Sequence, residues 1–366
     1  MVQARQVSSR RRRSARAMTD DDALLALAAV DDDAFARLVG PHRARLRAHC
    51  YRMLGSVADS DDAMQDTLFR AWRSLTQFEG RSSIGTWLTA IATNVCLRML
   101  EGRRRRGLPI DVSAHAQVGE PPGRPLAESV WIEPIPTELV DLADATPGPE
   151  ARYTMRESIE LAFSAALQHL PSQQRAVLLL RDVLGYSATE TAGMLATSVP
   201  AANSALQRAR STLDGHRDTA GRAPARRDAG DVESMQLARR YTSAMQDADI
   251  DAVIALLTTD ATWSMPPDAT WYAGTEAITA FLGDHPLRFS WRHLPAHANG
   301  QLAIMCYRLD DDAIFRAHAL DMFNIANDGR ISAITAFRTT SVLARFQLPM
   351  TLPGDFSKAD SQAAFR

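Results

Sequence analysis

The sequence predicts a multi-domain protein in which two all-α segments precede an α+β domain. The chain has 366 residues, more than one ordinary domain needs. Apolar residues recur at intervals of three and four over residues 31–106 and again over 152–217, which predicts two helical blocks. After residue 231, two helical patterns give way to short apolar runs separated by turn residues. That change of period predicts helices followed by strands.

The composition is that of a soluble globular protein, with 46% hydrophobic and 23% charged residues. No apolar stretch approaches the roughly 20 residues of a membrane-spanning helix, so we expect a cytoplasmic protein with no membrane partner. Cys50, Cys96 and Cys306 lie far apart in the sequence, and none belongs to a CxxC motif. We therefore expect no disulfide framework, no metal site and no cofactor.

Shifts in composition divide the chain into seven segments. The net charge is only -2, but arginines cluster at Arg10–Arg13 and Arg103–Arg106, while the segment from Glu120 to Glu150 is acidic and rich in proline. The apolar patch Val130-Trp131-Ile132 inside that linker predicts a docking contact. The expected segments are a disordered basic arm (1–22, with Met18 as an alternative start), a helical domain (23–107), a Pro-rich acidic linker (108–151), a second helical domain (152–217), a short linker (218–230), an α+β domain (231–348) and a tail (349–366).

The first helical domain contains a segment with acids on one side of a predicted helix. Ser60 is a plausible N-cap for a helix from about Ala63 to Leu75. In that helix the side chains that share neighbouring turns are Asp62, Gln65, Asp66 and Phe69. By residue type alone, a solvated acidic helix face explains this pattern equally well.

A further helix, predicted from about Ile84 to Leu100 after Ser82-Ser83, suits contact with DNA. Trp87 can stack on an unpaired base and Asn94 can hydrogen-bond a base edge. The arginines that follow can neutralise phosphates. Packing of Trp87 into the core, and solvated arginines at a helix end, remain open from these residues alone.

The second helical domain carries the pattern of a helix-turn-helix. Gly185 can end one helix, Ser187 can cap the next, and Thr197-Ser198 forms a turn before a third. In such a motif the last helix enters the major groove. A helical hairpin that merely packs has the same periodicity. The candidates for DNA contact are Ser198, Ala202, Asn203, Gln207, Arg208 and Arg210.

Four strings in this order resemble the extracytoplasmic-function, or group IV, factors of the sigma-70 family. They are DAMQDTLFRAW (62–72), FEGRSS (78–83), TWLTAIATNVCLR (86–98) and LPSQQRAVLLLRDVLGYSATETA (170–192). The first three match sigma region 2, and the last matches region 4. The linker stretch Trp131-Ile132-Glu133-Pro134 and the long C-terminal extension are most similar to the SigG-like subgroup. In that subgroup the extension is a SnoaL-like (NTF2-like) domain, an α+β cone around a pocket.

This resemblance implies an alternative sigma factor rather than an enzyme. Such a factor binds core RNA polymerase and directs initiation at promoters by recognising the −35 and −10 elements. The resemblance assigns Asp62, Gln65, Asp66 and Phe69 to the coiled coil of the β′ clamp, and Gln174 and Arg175 to the β flap. It assigns the −10 DNA to Phe78, Arg81, Ser83, Trp87, Asn94, Arg98, Arg103, Arg104 and Arg105, and the −35 DNA to the helix after Ser198.

Two features depart from the family pattern at the expected −35 helix. Pro200-Ala201-Ala202 opens this helix without a basic residue, and Ala205 stands where an arginine is frequent. We therefore expect few base contacts, or readout of DNA shape. A helix-turn-helix repressor is a poorer explanation of the chain, because a repressor has no use for the acidic 62–72 segment.

The C-terminal domain is expected to enclose a pocket and to contact the sigma regions, modulating their activity. The candidate pocket residues are Trp263, Met265, Trp271, His318 and Asp321. His318 and Asp321 lie three apart on a predicted strand and would point to opposite faces unless a bulge intervenes, which argues against an acid–base dyad. Since such folds host both enzymes and binding modules, the alternative is a bifunctional protein whose C-terminal domain is an enzyme or a small-molecule sensor.

Overall fold

The first helical block, residues 31–106, is a bundle whose helices share one apolar core. The computed structural model describes residues 31–140, 160–219 and 232–365. The expected basic arm and parts of both linkers lie outside these residues. Leu46 and Met53 pack with Ala63 and Leu88 in the centre of the bundle. The helices are α1 (Asp32–Val39), α2 (Arg43–Leu54), α3 (Val57–Ser74) and α4 (Ile84–Leu100).

Capping residues set where these helices begin. α3 begins at Val57 rather than near Ala63, because the Ser56 hydroxyl accepts a hydrogen bond from Asp59 N at 3.2 Å. The expected cap, Ser60, lies inside the helix and donates to Ser56 O at 2.5 Å. The prediction for α4 is confirmed, since Ser83 Oγ accepts from Thr86 N at 3.1 Å.

The second helical block, residues 160–217, contains the helix-turn-helix. Its helices are α6 (Leu161–Gln168), α7 (Ser172–Leu178), α8 (Ala188–Met194) and α9 (Val199–Thr219). Gly185 adopts φ 75° after α7 and its following π turn. Ser187 and Glu190 form a capping box at the start of α8. The predicted positions of Gly185 and Ser187 at helix ends are confirmed. Residues 152–159, expected to begin this block, lie outside the described residues.

The two helical blocks pack against each other through α6 and α7. Leu167, Ala176 and Val177 belong to the same buried core as the inner residues of α2 and α4. The Tyr186 hydroxyl donates to Thr89 Oγ1 at 3.2 Å across this contact. We call this packing of the second block on the first the closed arrangement.

The C-terminal domain is a seven-stranded sheet with helices packed on it. The strand order is β2-β1-β6-β5-β4-β3, with β7 paired to β5. Neighbours are antiparallel except for the parallel pair β1 and β6. The strands are β1 (Leu257–Ser264), β2 (Trp271–Ala273), β3 (Trp291–Ala298), β4 (Gln301–Leu309), β5 (Phe315–Ile325), β6 (Ile331–Phe337) and β7 (Thr351–Leu352).

Helices between residues 232 and 284 cover one face of the sheet, whereas the second helical block and the short helix at 340–343 pack on the other. Tyr241 and Phe281 form an apolar core on the helical face. On the other face, Leu161 and Ala165 of α6 pack with Met305 of the sheet. The helices of the domain are α10 (Val232–Asp247), α11 (Ile250–Ala255), α12 (Gly274–Asp284), α13 (Thr340–Leu343) and α14 (Lys358–Ala363).

The segment after Leu348 is part of the domain rather than a tail outside it. β7 extends the sheet beside β5. After α14, Phe365 is fully buried in the core on the helical face. Arg239 Nε donates to the Phe365 carbonyl at 2.9 Å. The expected boundary at residue 348 was wrong because the sequence there shows only short apolar runs, whose partners are distant.

The linker is docked on its neighbours over residues 108–140. These residues contain one short α-helix, α5 (Pro109–Val112), and two 3₁₀ turns, Glu128–Val130 and Thr137–Leu139. Ala116 N donates to Trp271 O at 2.8 Å, which fastens the linker to β2. Trp131 is 3% exposed, so the predicted docking contact is present. None of the described helices is long and apolar enough to cross a membrane.

Candidate functional site

One face of α3 is exposed and combines polar and aromatic side chains. Asp62 and Gln65 are exposed, and Phe69 and Trp72 keep 54% and 47% of their surface accessible. These four residues follow a spacing of three and four, so they form one line along the helix, which we call the α3 stripe. Asp66 lies beside it and pairs with Arg70 at 2.8 Å. Two large exposed aromatic side chains on one face indicate a docking surface.

Sequence reasoning missed Trp72. The signal for it was present, because Trp72 follows Phe69 by three residues on the same predicted helix. Arg73 lies over the Phe69 ring, with its guanidinium carbon 5.6 Å from the centroid. The stripe therefore extends for three helical turns, one turn beyond the predicted residues.

Asp61, next to the stripe, is shared by two arginines from different parts of the fold. Its carboxylate lies 3.3 Å from Arg47 Nε on α2 and 3.4 Å from Arg345 Nη1, which follows α13 in the C-terminal domain. Both contacts are partly exposed, so each contributes at most about 1 kcal/mol. The contact with Arg345 matters because it places a cation of the C-terminal domain at the edge of the stripe.

The linker supplies a second cap to α3. Glu133 Oε2 accepts from Val57 N at 2.8 Å, and Oε1 accepts from the Ser56 hydroxyl at 3.0 Å. A carboxylate at a helix N-terminus satisfies free N–H groups and interacts favourably with the helix dipole. The Tyr51 hydroxyl donates to the Glu133 carbonyl at 2.7 Å. Glu133 therefore fixes the start of the helix that carries the stripe, a role the sequence did not reveal.

The residues before α4 form a small aromatic corner. Phe78 and Trp87 are half-buried, with ring centroids 5.1 Å apart. Trp87 also packs against the core of the first block, so part of its surface has a structural role. Arg81 is exposed and pairs with Glu79, and Ser83 is exposed while its hydroxyl caps α4.

Further along α4, Asn94 contacts the second helical block and Arg98 is exposed. The Asn94 amide donates to Ala90 O at 2.9 Å and to Met194 O at 3.2 Å. Arg98 is exposed and donates weakly to Asn94 O at 3.4 Å. In the closed arrangement, the amide expected to read a base edge is therefore engaged by protein carbonyls.

In the arginine run after α4, two side chains pair with a carboxylate and two pair with none in the described part of the chain. Arg103 and Arg106 both bind the Asp59 carboxylate, at 3.0 Å and 2.8 Å. Burial opposes ionisation of Asp59, but hydrogen bonds from the two arginines outweigh it and lower its pKa. Arg104 and Arg105 are exposed. They are the members of the run best placed to bind phosphates.

Arg175 is buried between the two helical blocks, whereas Gln174 beside it is half-buried. Arg175 is 3% exposed, donates to Met53 O at the end of α2 and reaches Gln168 Oε1 at 2.6 Å. Its other amino group donates to Leu170 O at 3.1 Å. Burial lowers the pKa of Arg175 to about 10. In the closed arrangement, the side chain expected on a polymerase surface holds the two blocks together.

α9 presents a polar face while Ala202 points inward. Ala202 is 2% exposed and lies on the same side of α9 as the buried Leu206 and Ala209, so its side chain is not available to DNA. The Ser198 hydroxyl accepts weakly from Ala201 N at 3.3 Å, and Arg210 forms two hydrogen bonds to Asp182 at 2.8 and 2.7 Å. The predicted contacts that remain exposed on α9 are Asn203, Gln207, Arg208 and Arg210, with Ser198 just before the helix.

The aromatic candidates of the C-terminal domain lie in its core or under the linker. Trp263 is buried, with its ring centroid 5.8 Å from that of Phe281, and Met265 is buried in the same core. Trp271 Nε1 donates to Ser113 O of the linker at 2.9 Å, and its ring meets that of His115 edge-on. The linker therefore covers this side of the domain.

A bulge places His318 and Asp321 on the same face of β5. Cys306 pairs with Ala319 while the next residue, Tyr307, pairs with Ala317, which leaves His318 as the extra residue. His318 meets the Trp291 ring edge-on, with centroids 5.5 Å apart. The expectation of opposite faces was therefore wrong, because its stated exception, a bulge, occurs.

Asp321 is engaged inside the domain. It is 4% exposed, and the Tyr241 hydroxyl donates to its carboxylate at 2.7 Å. Burial raises the pKa of Asp321 to about 6 and lowers that of His318 to about 4. Within the described residues, no cluster of three or more His, Cys, Asp or Glu side chains is placed to hold a metal ion.

Sequence profiles of three families match the chain in the order of its structural parts. They are sigma-70 region 2 over residues 38–106, sigma-70 region 4 over 160–213, and a SnoaL-like domain over 238–334. The region 2 and region 4 matches coincide with the first and second helical blocks. The third lies within the C-terminal domain.

Several known proteins are similar over large parts of the chain. The ECF RNA polymerase sigma factor SigG of Mycobacterium tuberculosis H37Rv is 43% identical over 329 residues, covering 87% of this chain and 85% of that protein. SigM of the same organism is 30% identical over 53% of this chain and 83% of its own length. The crystal structure of the M. tuberculosis extracytoplasmic function sigma factor SigJ matches 84% of this chain and 97% of its own, with 21% identity and a TM-score of 0.54.

Proposed function

Because this chain belongs to the extracytoplasmic-function sigma factors of the sigma-70 family, we propose specific roles for its exposed surfaces and for its C-terminal domain. As a member of that family, it is an alternative sigma factor that directs transcription and carries a SnoaL-like domain. The first helical block is region 2 and the second is region 4.

The α3 stripe is the proposed docking surface for the coiled coil of the polymerase β′ clamp. It places Asp62 and Gln65 beside two exposed aromatic rings, and Asp66 lies next to them. Aromatic side chains bury large areas at protein interfaces, and the acids give the surface its charge complementarity. The exposure of Phe69 and Trp72 is the observation that best supports this role.

Promoter DNA is proposed to contact two separate surfaces. On region 2, Phe78, Arg81 and Trp87 form the corner for the −10 element, and Arg98, Arg104 and Arg105 bind its phosphates. On region 4, Asn203, Gln207 and Arg208 lie on the exposed face of α9 and read the −35 element. Asn94 joins the region 2 surface when regions 2 and 4 separate. Arg175, with Gln174, is then available to the polymerase β flap.

The closed arrangement is proposed to be the inactive state of the free protein. In it, the Asn94 side-chain amide donates to Met194 O of region 4, and Arg175 is buried against α2. The C-terminal domain packs on α6 of region 4 and places Arg345 on Asp61 of region 2. Because it contacts both regions, this domain stabilises the closed arrangement, and binding of polymerase to the α3 stripe competes with it.

In vitro transcription with bacterial core polymerase and selected promoter DNA tests these roles. Four proteins are compared: the full chain, the triple variant Asp62→Ala, Gln65→Ala, Asp66→Ala, the variant Arg345→Ala, and the control Lys358→Ala, which changes an exposed cation remote from the stripe. We expect loss of core binding and transcript in the triple variant, a several-fold rise with Arg345→Ala, and no change in the control. Full activity of the triple variant would rule out the docking surface, and unchanged activity of Arg345→Ala would rule out the competition.

An enzyme or small-molecule sensor in the C-terminal domain is the alternative proposal. The common face of His318 and Asp321 is the feature that favours it. Catalysis would require a substrate to reach these groups, although Asp321 is engaged by Tyr241 and the linker covers Trp271. Ligand-induced thermal shifts of the full chain that depend on Asp321 would support this alternative. A screen without such shifts, combined with transcription in the test above, would contradict it.

A further inference from the structure

One turn of the C-terminal domain contacts both region 2 and the linker. It joins β3 to β4 and has Asn299 and Gly300 at its centre, with φ 55° and 71°. Most turns lie on the protein surface, but Asn299 is fully buried. Its backbone N–H donates to Ile135 O of the linker at 2.8 Å. The turn therefore lies where three parts of the chain meet.

An Asn-Gly dipeptide is suited to a reaction between the asparagine side chain and the next backbone nitrogen. The Gly300 nitrogen can approach Asn299 Cγ because glycine has no side chain to obstruct the attack. The N–C bond forms as the bond from Cγ to Nδ2 breaks. The Gly300 amide proton leaves with Nδ2, which releases ammonia and closes a succinimide ring. Water then opens the ring to give aspartate or isoaspartate.

In the structure, each group that takes part in this reaction is bound to another part of the chain. Asn299 Oδ1 accepts from Ile135 N at 3.0 Å, and Nδ2 donates to the Tyr51 hydroxyl at 2.8 Å. The attacking Gly300 N–H donates to Thr137 Oγ1 at 3.0 Å. We call these three contacts the Asn299 junction. The junction opposes the reaction, because the amide and the nitrogen must give up these partners before they can meet.

A carboxylate at position 299 does not fit the junction. The Tyr51 hydroxyl already donates its proton to the Glu133 carbonyl at 2.7 Å, so it can only accept from residue 299. Asparagine supplies the N–H donor, whereas aspartate brings a second acceptor and a charge to a fully buried site. Isoaspartate also lengthens the backbone of the turn by one methylene group. Both products therefore oppose the return of the turn to region 2.

We propose that Asn299-Gly300 is a deamidation site, which the Asn299 junction protects while the C-terminal domain is docked on region 2 and the linker. When the domain leaves, the amide and the Gly300 nitrogen lose their partners and react, and the product keeps the domain from docking again. The modification makes the release of the domain one-way. Its link to transcription rests on the inactive state proposed above, but the protection belongs to the free protein. The test therefore contains no polymerase, and its failure would leave the docking surface untouched.

The test measures deamidation of the full chain in mildly alkaline buffer, because the reaction requires loss of the Gly300 amide proton and accelerates with pH. A synthetic peptide of residues 294–305 gives the rate without the fold. Tyr51→Phe removes the partner of Asn299 Nδ2, and Thr137→Val removes that of Gly300 N. Peptide mapping and an isoaspartate-specific methyltransferase assay identify the products at position 299.

Two matched controls make the same chemical changes away from the junction. Tyr307→Phe removes a tyrosine hydroxyl that donates to Pro349 O within the C-terminal domain. Thr259→Val lies at an exposed position of β1. Circular dichroism confirms folding of every variant, and the comparison of wild type with the peptide decides if neither junction variant folds.

We expect the wild type to deamidate at least tenfold more slowly than the peptide. The folded variants Tyr51→Phe and Thr137→Val should react several-fold faster than the wild type, and both controls should match it. Equal rates in the wild type and the peptide would overturn the protection. Equal rates in the wild type and both folded junction variants would show that these contacts do not provide it.

The one-way release is tested separately with Asn299→Asp, which has the aspartate side chain that the reaction forms. Hydrogen exchange of the full chain should be faster than in the wild type over residues 131–140 and in α2, because the junction no longer closes. The control is Asn327→Asp in an exposed turn. Exchange equal to that of the wild type would overturn the one-way release.

Discussion

The side-chain amide of Asn299 donates a hydrogen bond to the Tyr51 hydroxyl at 2.8 Å. Asn299 lies in the turn between β3 and β4, and Tyr51 lies on α2 of region 2, and both are fully buried. Asn299 also accepts from Ile135 N at 3.0 Å through its Oδ1 atom. One side chain therefore joins the C-terminal domain, region 2 and the linker.

Asn299→Gly should loosen this junction while preserving the turn. Asn299 has φ 55°, which glycine adopts easily, so the substitution removes only the side-chain contacts. The orphaned Ile135 amide should cost about 1–3 kcal/mol of local stability. Hydrogen exchange should show faster exchange at Ile135 and in α2. Asn327→Gly, in an exposed turn, is the control, and equal exchange in both variants would contradict the role of Asn299.

Glu133→Gln should weaken the start of α3. The substitution removes the negative charge that caps Val57 N and Ser56, at a cost of about 1 kcal/mol. We expect faster amide exchange at Val57 and reduced affinity for core polymerase, because the α3 stripe is less well positioned. The control is Glu138→Gln, an exposed linker residue. Polymerase affinity equal to that of the wild type would show that the cap does not position the stripe.

Asp321→Asn should remove a pH-dependent penalty from the C-terminal domain. The pKa of Asp321 is raised from 3.8 to about 6 in the folded state, so the folded protein holds this proton more tightly than the unfolded chain. Its contribution to stability therefore falls as pH rises from about 4 to about 6, by roughly 3 kcal/mol in total. The asparagine side chain can still accept the hydrogen bond from the Tyr241 hydroxyl. Because asparagine does not ionise, the variant does not lose this stability as pH rises.

The comparison must be made between the two proteins at each pH. His293 and His318 have pKa values lowered to about 3 and about 4, so they destabilise the fold as pH falls below 6.5, opposite in sign to Asp321. Urea unfolding of wild type and Asp321→Asn should give a stability difference that favours the variant at pH 7 and shrinks toward pH 4. A difference that stays constant over this range would contradict the assignment.

Two neighbouring residues of α9 should have different effects on DNA binding. Arg208→Ala should weaken binding to all sequences and reduce the salt slope by about 1, as expected for a phosphate contact. Gln207→Ala should instead reduce discrimination between the cognate promoter and a mutated −35 element, by about 1–3 kcal/mol. Titrations at several salt concentrations, with Lys358→Ala as the control, separate the two effects. Identical behaviour of both variants would mean that Gln207 does not read bases.

The sequence predicted features that depend on short-range chemistry. Ser83, Gly185 and Ser187 were recognised as helix boundaries because capping and left-handed turns involve residues close in the chain. Asp62, Gln65 and Phe69 of the α3 stripe followed from helical spacing and from the family resemblance, whereas Trp72 was missed.

Features set by long-range contacts were not predictable in this way. Ser60 has the residue type of a cap, but Ser56 and the distant Glu133 carboxylate set the start of α3. Arg175 has the type of a surface residue, but it is buried where region 4 packs on α2. His318 follows strand alternation in the sequence, and only the pairing of β4 with β5 shows the bulge.

The sequence by itself determined which helices form, that a helix-turn-helix follows a region 2 bundle, and to which family the chain is similar. These properties are encoded in spacing, capping residues and motif order. The tertiary structure alone decided that regions 2 and 4 pack together, that the linker caps α3 through Glu133, and that Cys50 and Cys96 are buried in one core. Contacts of this kind depend on which apolar faces and unpaired polar groups find each other across the fold, and no local pattern specifies that choice.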